Sequence, residues 1–468
     1  MIVRLRPTLV LAAVATLVLC LRPSMGFFSD LAVAGAAVSL ALSLIVLFIR
    51  DRDWCIFQRG KMNGVTDGTL FCLVLATCVI TLLAAFSTQL SYDDHTYGDH
   101  PEYKPILVAL AAIGCLLAVA ISIVCLLPLF FRRLEFPTWP AYALLALVVL
   151  SALVSRSLVL RISPDPVIDV YAWLRDASNH ALHGRNPYTQ PIDSPYGTER
   201  ALEYGVPDPA DRHPPAYPPL PFLLCMPFRA MNLDIRWANI VGDLVAGIAL
   251  FCIGARRGRW DYGLLCSCLF LNLPRSVWII EQAWYEPMLA GLFGLGFWLI
   301  EYEARRRWLG FVVLALALTA KQFGLPLLLP LAWSQRRRWR MLLAGLIVAG
   351  LVMLPWIVRS PHDFFDVILW KHLQRDPQLH SLTFASACHE FFHWNVPKEC
   401  GWIIATALIL LVSWRTPRNG AAAALGVGTA LFVFCIFHTQ GFPNYFYLCD
   451  YLWLVGMVGW LPEKPKIV

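Results

Sequence analysis

The sequence predicts an all-α integral membrane protein of about fourteen transmembrane helices, and three observations carry that expectation. Hydrophobic residues make up 58% of the 468-residue chain and charged residues only 15%, a balance that suits a polytopic membrane protein and excludes an ordinary soluble multidomain enzyme. Apolar runs long enough to cross a hydrocarbon core of about 30 Å recur along the whole chain. The net charge of +7 is explained by arginines in short loops, which the positive-inside rule keeps in the cytoplasm. Neither a basic tail nor a basic stripe stands out, so nucleic acid is not an expected partner. Most of the 14 cysteines lie inside apolar runs, where Cys acts as a small hydrophobe. Only Cys388 and Cys400 share a polar loop, which leaves a disulfide between them open.

The first five runs fall at roughly 7–24, 29–49, 68–87, 105–131 and 138–160. The first follows Arg4 and Arg6 as a signal peptide would, but it lacks a small-residue cleavage site and is read as a retained helix. The basic segment RDRDWCIFQRGK at 50–61 and the pair Arg132–Arg133 belong in the cytoplasm, and the acidic SYDDHTYGDHPEY at 91–103 belongs outside. With the N-terminus inside, the fifth helix delivers residues 161–216 to the external face. After Tyr217 come two apolar runs, PPLPFLLCMPFRAM and WANIVGDLVAGIALFCIGARRGR, before Arg256, Arg257 and Arg259 return to the cytoplasm. One net crossing satisfies that, and the sequence leaves open whether 217–231 crosses or only dips. Helices at about 261–279 and 287–304 follow, then two short arms at about 308–320 and 322–335 with Lys321 and Gln322 at their apex. A helix at about 340–358 leads to a second external loop, 359–398, and three more crossings end near 461.

The longest polar segment in this apolar chain runs from Asp165 to Leu220. Within it Tyr171, Leu174, Ala177, Ala181 and Leu182 recur at helical spacing, interleaved with Arg175, Asp176 and Asn179. That pattern predicts a short amphipathic helix over 168–183, suited to the membrane surface. Gly184 is placed to cap its end and Asn186-Pro187 to turn the chain. Asp169 falls in the first turn, where the helix dipole favours a carboxylate.

The segment DVYAWLRDASNHALHGRNPY, followed by AYPPL, resembles the first external loop of glycosyltransferase family 87, membrane-embedded transferases of the C-type fold that use polyprenyl-phosphate sugars. The matching positions are Asp169, Tyr171, Gly184, Pro187, Tyr188, Tyr217, Pro218, Pro219 and Leu220. Further on, EQAWYEP at 281–287 resembles a Gly-Gln segment of the family, with Glu281 in place of the Gly. KQFGLPLLLPL at 321–331 resembles its Lys-Gln arm, and NYFYLCDYLW at 444–453 its last helix. The resemblance spans about 137–461, so it implies a transferase core at 136–468, with external loops 161–216 and 359–398, behind an N-terminal four-helix extension at 1–135.

What the resemblance implies can be weighed chemically. A polyprenyl phosphate leaves readily without a general acid, so an inverting displacement needs only a base for the acceptor hydroxyl. Asp169 is the candidate catalytic base. Arg185, Arg212 and Lys321 are candidates to hold the donor phosphate. Tyr171, Tyr188, His213, Tyr217, Glu281, Gln282, Gln322, Asn444 and Tyr445 complete the expected substrate-binding set. The expected partners are a polyprenyl-phosphate sugar, mannose being the first guess from the family, and a lipid or glycan acceptor. The expected location is the plasma (inner) membrane with the site on the external or periplasmic face. Some C-type transferases use a divalent metal beside the donor phosphate and others do not, and the sequence does not decide between them.

Each candidate also has a plainer reading. Asp169 serves equally as a helix N-terminal carboxylate, Arg185 and Arg212 as headgroup anchors, and Lys321 as a snorkelling side chain. Glu281, Gln282 and Glu286 fit helix-end caps, and Tyr217 and Tyr445 fit an interfacial aromatic belt. Histidines gather in both polar loops, with His180, His183 and His213 in the first and His362, His372, His380, His389 and His393 in the second. HEFFH at 389–393 has zinc-protease spacing, but its FFHWNVP continuation supplies no further ligand pattern. A transporter or flippase of lipid-linked saccharides is the rival class, resting on intramembrane charges of which Asp243 is the clearest. An inactive transferase-like scaffold is the third.

Overall fold

A computed structural model describes residues 3–21, 28–48, 55–56, 68–86, 103–130, 139–190, 192, 195, 217–273, 276–302, 307–322, 324–335, 338–418 and 420–461. These residues are overwhelmingly helical, as the apolar runs require. The backbone of a membrane-embedded chain satisfies its own N–H and C=O groups most simply within helices. Among the described residues the one strand pairing joins Val3–Arg4 antiparallel to Cys55–Ile56.

In chain order the principal helices are α1 (Leu5–Leu21), α2 (Asp30–Phe48), α3 (Gly68–Phe86), α4 (Tyr103–Phe130), α5 (Trp139–Ile162), α6 (Asp169–Leu182), α7 (Leu220–Ala230) and α8 (Trp237–Arg256). They continue with α9 (Trp260–Leu271), α10 (Ser276–Glu281), α11 (Glu286–Tyr302), α12 (Arg307–Leu318), α13 (Gly324–Trp333) and α14 (Arg338–Arg359). The last are α15 (Phe384–Phe392), α16 (Lys398–Arg415), α17 (Ala424–Phe437) and α18 (Pro443–Trp460). Among the described residues five stretches are long and apolar enough to cross a membrane: Asp30–Phe48, Trp139–Ile162, Trp237–Arg256, Trp339–Arg359 and Gly420–Phe437.

Other apolar runs wind into shorter helices. At 11 residues α7 is only about 16 Å long, short of a hydrocarbon core, whereas the 20-residue α8 is long enough to cross one. The two arms around Lys321 are likewise short, 12 residues in α12 and 10 in α13. The helix expected over 261–279 is divided into α9 and α10. Pro274 has no N–H to continue the ladder, and the Asn272 side chain turns back to donate to the Cys268 carbonyl at 2.8 Å. The expected loop 359–398 is mostly helical too, with Pro361–Phe365, Asp366–Trp370 and Lys371–Gln374 in succession before α15.

Helix α8 lies at the centre, packed on α5, α9, α11 and α18. Its closest approach is to α11, where Gly242 faces Gly291 and a Cβ on either would collide with the other helix's backbone. Small residues at such crossings are how membrane helices gain contact without a hydrophobic drive between them. Beside this crossing sits a buried charge. Asp243 of α8 pairs with Arg156 of α5 at 2.5 Å and is hydrogen-bonded by the Tyr447 hydroxyl of α18. The Arg156 Nη groups donate to the carbonyls of Ala152 and Leu271 at 3.3 and 3.0 Å. The Nε–carboxylate contact is close but poorly aligned as a hydrogen bond, so its attraction is mainly charge on charge.

The two ends of the bundle differ. At the arginine-rich end Arg257 pairs with Glu301 at 2.9 Å and donates to the Leu461 carbonyl at 2.9 Å, while Glu301 accepts the Ala421 N–H. The opposite end carries α6, α7, α10 and the 360–397 segment. The N-terminal helices join the rest directly: Arg6 lies over the Trp460 ring at 4.3 Å, and the Phe28 N–H donates to the His380 carbonyl at 3.0 Å. Cys388 is buried, Cys400 is exposed, and both are free thiols.

Candidate functional site

The loop-bearing end is organised by α6. Asp169 is its first residue and accepts the Val170 N–H at 2.8 Å, as expected for a carboxylate in a first helical turn. The helix closes at Gly184, whose positive φ of 71° is easy only for glycine, and the next N–H, of Arg185, reaches back to the His180 carbonyl at 2.9 Å. Tyr171, Leu174 and Ala177 are buried as the periodicity predicts. Leu182, expected on the same face, is 38% exposed because the helix ends there and the contact with α7 runs through Ser178, whose hydroxyl donates to the Phe222 carbonyl at 3.0 Å.

Tyr188 follows in a 3-10 turn set by Asn186, whose side chain accepts the Tyr188 N–H. Its ring is buried against Phe222, Trp356 and Phe364, and its hydroxyl donates to the Tyr217 carbonyl at 2.8 Å. It is 1% exposed. Tyr188, expected among the substrate-binding residues, holds the Tyr217 backbone through this bond.

Tyr217 in turn is the hub of an aromatic row. Its ring meets Trp173 of α6 at 5.5 Å and Tyr285 at 5.1 Å, both edge-on. Lys321, at the apex between α12 and α13, places its ammonium over the Tyr285 ring at 4.7 Å and the Tyr445 ring at 4.0 Å, and pairs with Glu286 at the start of α11. A buried lysine needs such compensation, from a carboxylate and from aromatic faces. Asp169 belongs to the same neighbourhood. Burial is the main cause that holds the Tyr217 hydroxyl well above its ordinary range, with the Asp169, Tyr445 and Glu286 charges adding and Arg375 opposing. A phenol so held stays protonated and remains a donor.

The structure thus brings together Asp169, Tyr217, Lys321 and Tyr445 of the expected site and adds Tyr285, Glu286 and Arg375. Gln322 joins from one side, its Nε2 lying 2.9 Å from His372 Nε2. Asn444 is buried beside Tyr445 with its carbonyl oxygen unbonded. Other expected members stand apart. Tyr171 faces Arg236 and Arg175 through its ring, and its hydroxyl reaches the Pro164 carbonyl at 3.4 Å. Glu281 sits with Arg236 and Ser163, where burial pushes its carboxyl up to about 7 against the pull of Arg236. Gln282 is buried, with its N–H bonded to the Trp278 carbonyl. Arg185 is exposed. Arg212 and His213 lie outside the described residues.

The HEFFH spacing does not place its histidines on one helix face. α15 ends at Phe392, His393 takes a left-handed conformation with φ of 52°, and His389 turns to Asn395 at 2.8 Å. Among the described residues no three His, Cys, Asp or Glu side chains gather as a metal site. Chemically, the row offers a half-buried carboxylate able to accept a proton, cations able to hold an anion, and phenols able to donate.

Sequence reasoning passed over Tyr285, His372 and Arg375 as members, and weighed Glu286 between a helix cap and a contact to sugar or acceptor. Arg375 and His372 sit in a segment read as plain loop, and no spacing relation ties them to Lys321 about 50 residues earlier in the chain.

An all-helical membrane protein with a polar, partly charged site at one end of its bundle is the class that fold and site define. Residues 216–439 match the family model of Glycosyltransferase family 87, and this match supports membership of that family. It covers Tyr217, Glu286, Lys321 and Arg375 and stops short of Asp169 and Tyr445 on either side. No curated protein and no solved structure matches the chain. The family indicates a glycosyltransferase.

Proposed function

We propose that the protein transfers a sugar, with mannose as first candidate, from a polyprenyl-phosphate donor to a lipid or glycan acceptor on the external face of the plasma membrane. One observation carries the reading: Asp169 and Lys321 share a single aromatic row through Tyr217, Tyr285 and Tyr445. Asp169 takes the proton of the acceptor hydroxyl as that oxygen attacks the anomeric carbon. The bond to the donor phosphate oxygen breaks on the opposite face, giving inversion. The electron pair leaves on polyprenyl phosphate, an anion of low basicity that needs no proton. Lys321 and the protonated phenols hold the phosphate as its charge grows.

Loop charge supports the orientation. Arg256, Arg257 and Arg259 cluster at one end of α8, and the polar row lies at the other. About fourteen crossings, with residues 1–135 as an added four-helix unit, remain part of the same reading. The transporter alternative is weakened by Asp243, whose charge is paired with Arg156 and hydrogen-bonded by Tyr447.

The test is sugar transfer by purified protein in proteoliposomes loaded with radiolabelled polyprenyl-phosphate mannose and a membrane lipid extract. Label is expected to leave the polyprenyl lipid for an acceptor. Transfer from a nucleotide sugar in the absence of any polyprenyl lipid would contradict the proposal.

A further inference from the structure

Two cation positions are needed where a donor phosphate gains charge, and Lys321 already shares its charge with Glu286. Arg375 meets that need from the second polar segment. The segment is fastened over the row at both sides of Arg375. Three residues before it, His372 bonds Gln322, the neighbour of Lys321, at 2.9 Å. Three residues after it, the Gln378 N–H donates to the Thr439 carbonyl at 3.0 Å, just ahead of α18 and Tyr445. The adjoining Gln374 carbonyl accepts from Lys398 Nζ at 2.8 Å. Arg375 is half-buried, and its charge is felt by Tyr217, Tyr445 and His438 alike. Among the described residues none pairs with its guanidinium. The surrounding groups are His372 and His438 on the cationic side and Asp169 and Glu286 on the acidic side, with Glu286 already committed to Lys321.

A guanidinium left unpaired beside a buried lysine is unfavourable in an empty protein and favourable once an anion arrives. We infer that Arg375 is a donor-binding residue that contacts the phosphate of the polyprenyl-phosphate sugar, making the 360–397 segment part of the substrate site. The inference rests on the function proposed above. It names the second cation that the reaction requires and accounts for the fastening of His372 and Gln378.

Arg375→Gln, Arg375→Lys and Lys371→Gln in proteoliposomes separate this role from a structural one, with melting temperature followed alongside. Lys371 is an exposed cation of the same segment, paired with Asp366 at 3.5 Å, and controls for loss of local charge. Arg375→Gln is expected to raise the donor KM by about 10- to 100-fold, the range for losing a hydrogen bond to a charged group. The inhibition constant of sugar-free polyprenyl phosphate is expected to rise by the same factor, because the contact is to phosphate. Arg375→Lys is expected to restore part of both, and Lys371→Gln to change neither. An unchanged inhibition constant in Arg375→Gln, or a loss of melting temperature that accounts for the lost activity, overturns the inference. If the unsubstituted protein transfers no sugar from a polyprenyl-phosphate donor, the underlying function fails instead.

Discussion

Two groups of the same chemistry, a cation, a carboxylate and a tyrosine, sit at different depths in this protein. Arg156, Asp243 and Tyr447 lie about 6–9 Å along their helices from the loop-bearing end, with the arginine Nη groups on two backbone carbonyls and its Nε beside the Asp243 carboxylate. Lys321, Glu286, Tyr285, Tyr445, Tyr217 and Asp169 lie at that end itself; Asp243 and Glu286 each keep one oxygen without a hydrogen bond, but only the outer group has beside it a further cation, Arg375, that no carboxylate pairs among the described residues. The deeper group is closed and the outer group is open. Closure is what an intramembrane charge requires when it serves the fold, since unpaired charge in low dielectric is severely penalised. Residual hydrogen-bonding capacity at the outer group is what binding and chemistry require. The difference teaches that buried charge alone does not mark a functional site in this chain; unspent valence does.

The comparison breaks most visibly at the deeper group. Arg156→Met strands Asp243 and is expected to destabilise the protein by about 3–5 kcal/mol. Thermal unfolding in detergent reads this, and Arg156→Met combined with Asp243→Leu is expected to recover most of it. The matching double change at the outer group, Lys321→Met with Glu286→Gln, removes both charges together. It is expected to leave the melting temperature near its starting value while lowering sugar transfer by about 10²–10³-fold, the scale for removing one electrostatic stabiliser. A loss of sugar transfer in the deeper double variant as large as in the outer one would erase the distinction.

Tyr188 sharpens the comparison at smaller scale. Tyr188→Phe removes only the bond to the Tyr217 carbonyl, and a net loss of about 1 kcal/mol is expected. Transfer should fall less than tenfold, with little change in donor KM, since Tyr188 itself is buried away from substrate. The smallest effect concerns Glu281, whose folded value of about 7 lies above its ordinary 4.5. A raised carboxyl value means that the folded state favours the proton. Its contribution to stability is therefore full below pH 4.5 and lost as pH rises through about 7. Melting temperatures of Glu281→Gln are expected to be flatter than those of the unsubstituted protein across that window.

Much of this organisation was legible in the sequence, for reasons that are physical. The α6 periodicity, the Gly184 cap, the Asn186 turn and the short arms around Lys321 are local features, and local chemistry decides them. Asp169 and Lys321 were chosen by their place in a resemblance, and the Asp169 charge acts on Tyr217, whose ring meets the Tyr285 ring under Lys321. What escaped was non-local. Nothing in sequence spacing joins Arg156 to Asp243 or Arg375 to Tyr217, because those meetings depend on which helices pack together. The length of the helix after Tyr217 also needed the structure, since Pro-rich and apolar composition suits both a crossing and a dip, and α7 has 11 residues. The enclosure of Tyr188 by Phe222, Trp356 and Phe364 was not legible either, because a tyrosine in a polar loop reads as accessible.

The central claim is that Asp169 is the open group's proton acceptor. Asp169→Asn keeps the shape and the bond from the Val170 N–H while removing the negative charge. Transfer from polyprenyl-phosphate mannose is expected to fall by about 10²–10⁴-fold, the usual contribution of a general base. Donor KM and melting temperature should stay close to the unsubstituted values, and Asp176→Asn on the same helix should leave the rate within a few-fold. Retained transfer in Asp169→Asn, or an equal loss in Asp176→Asn, would contradict the account.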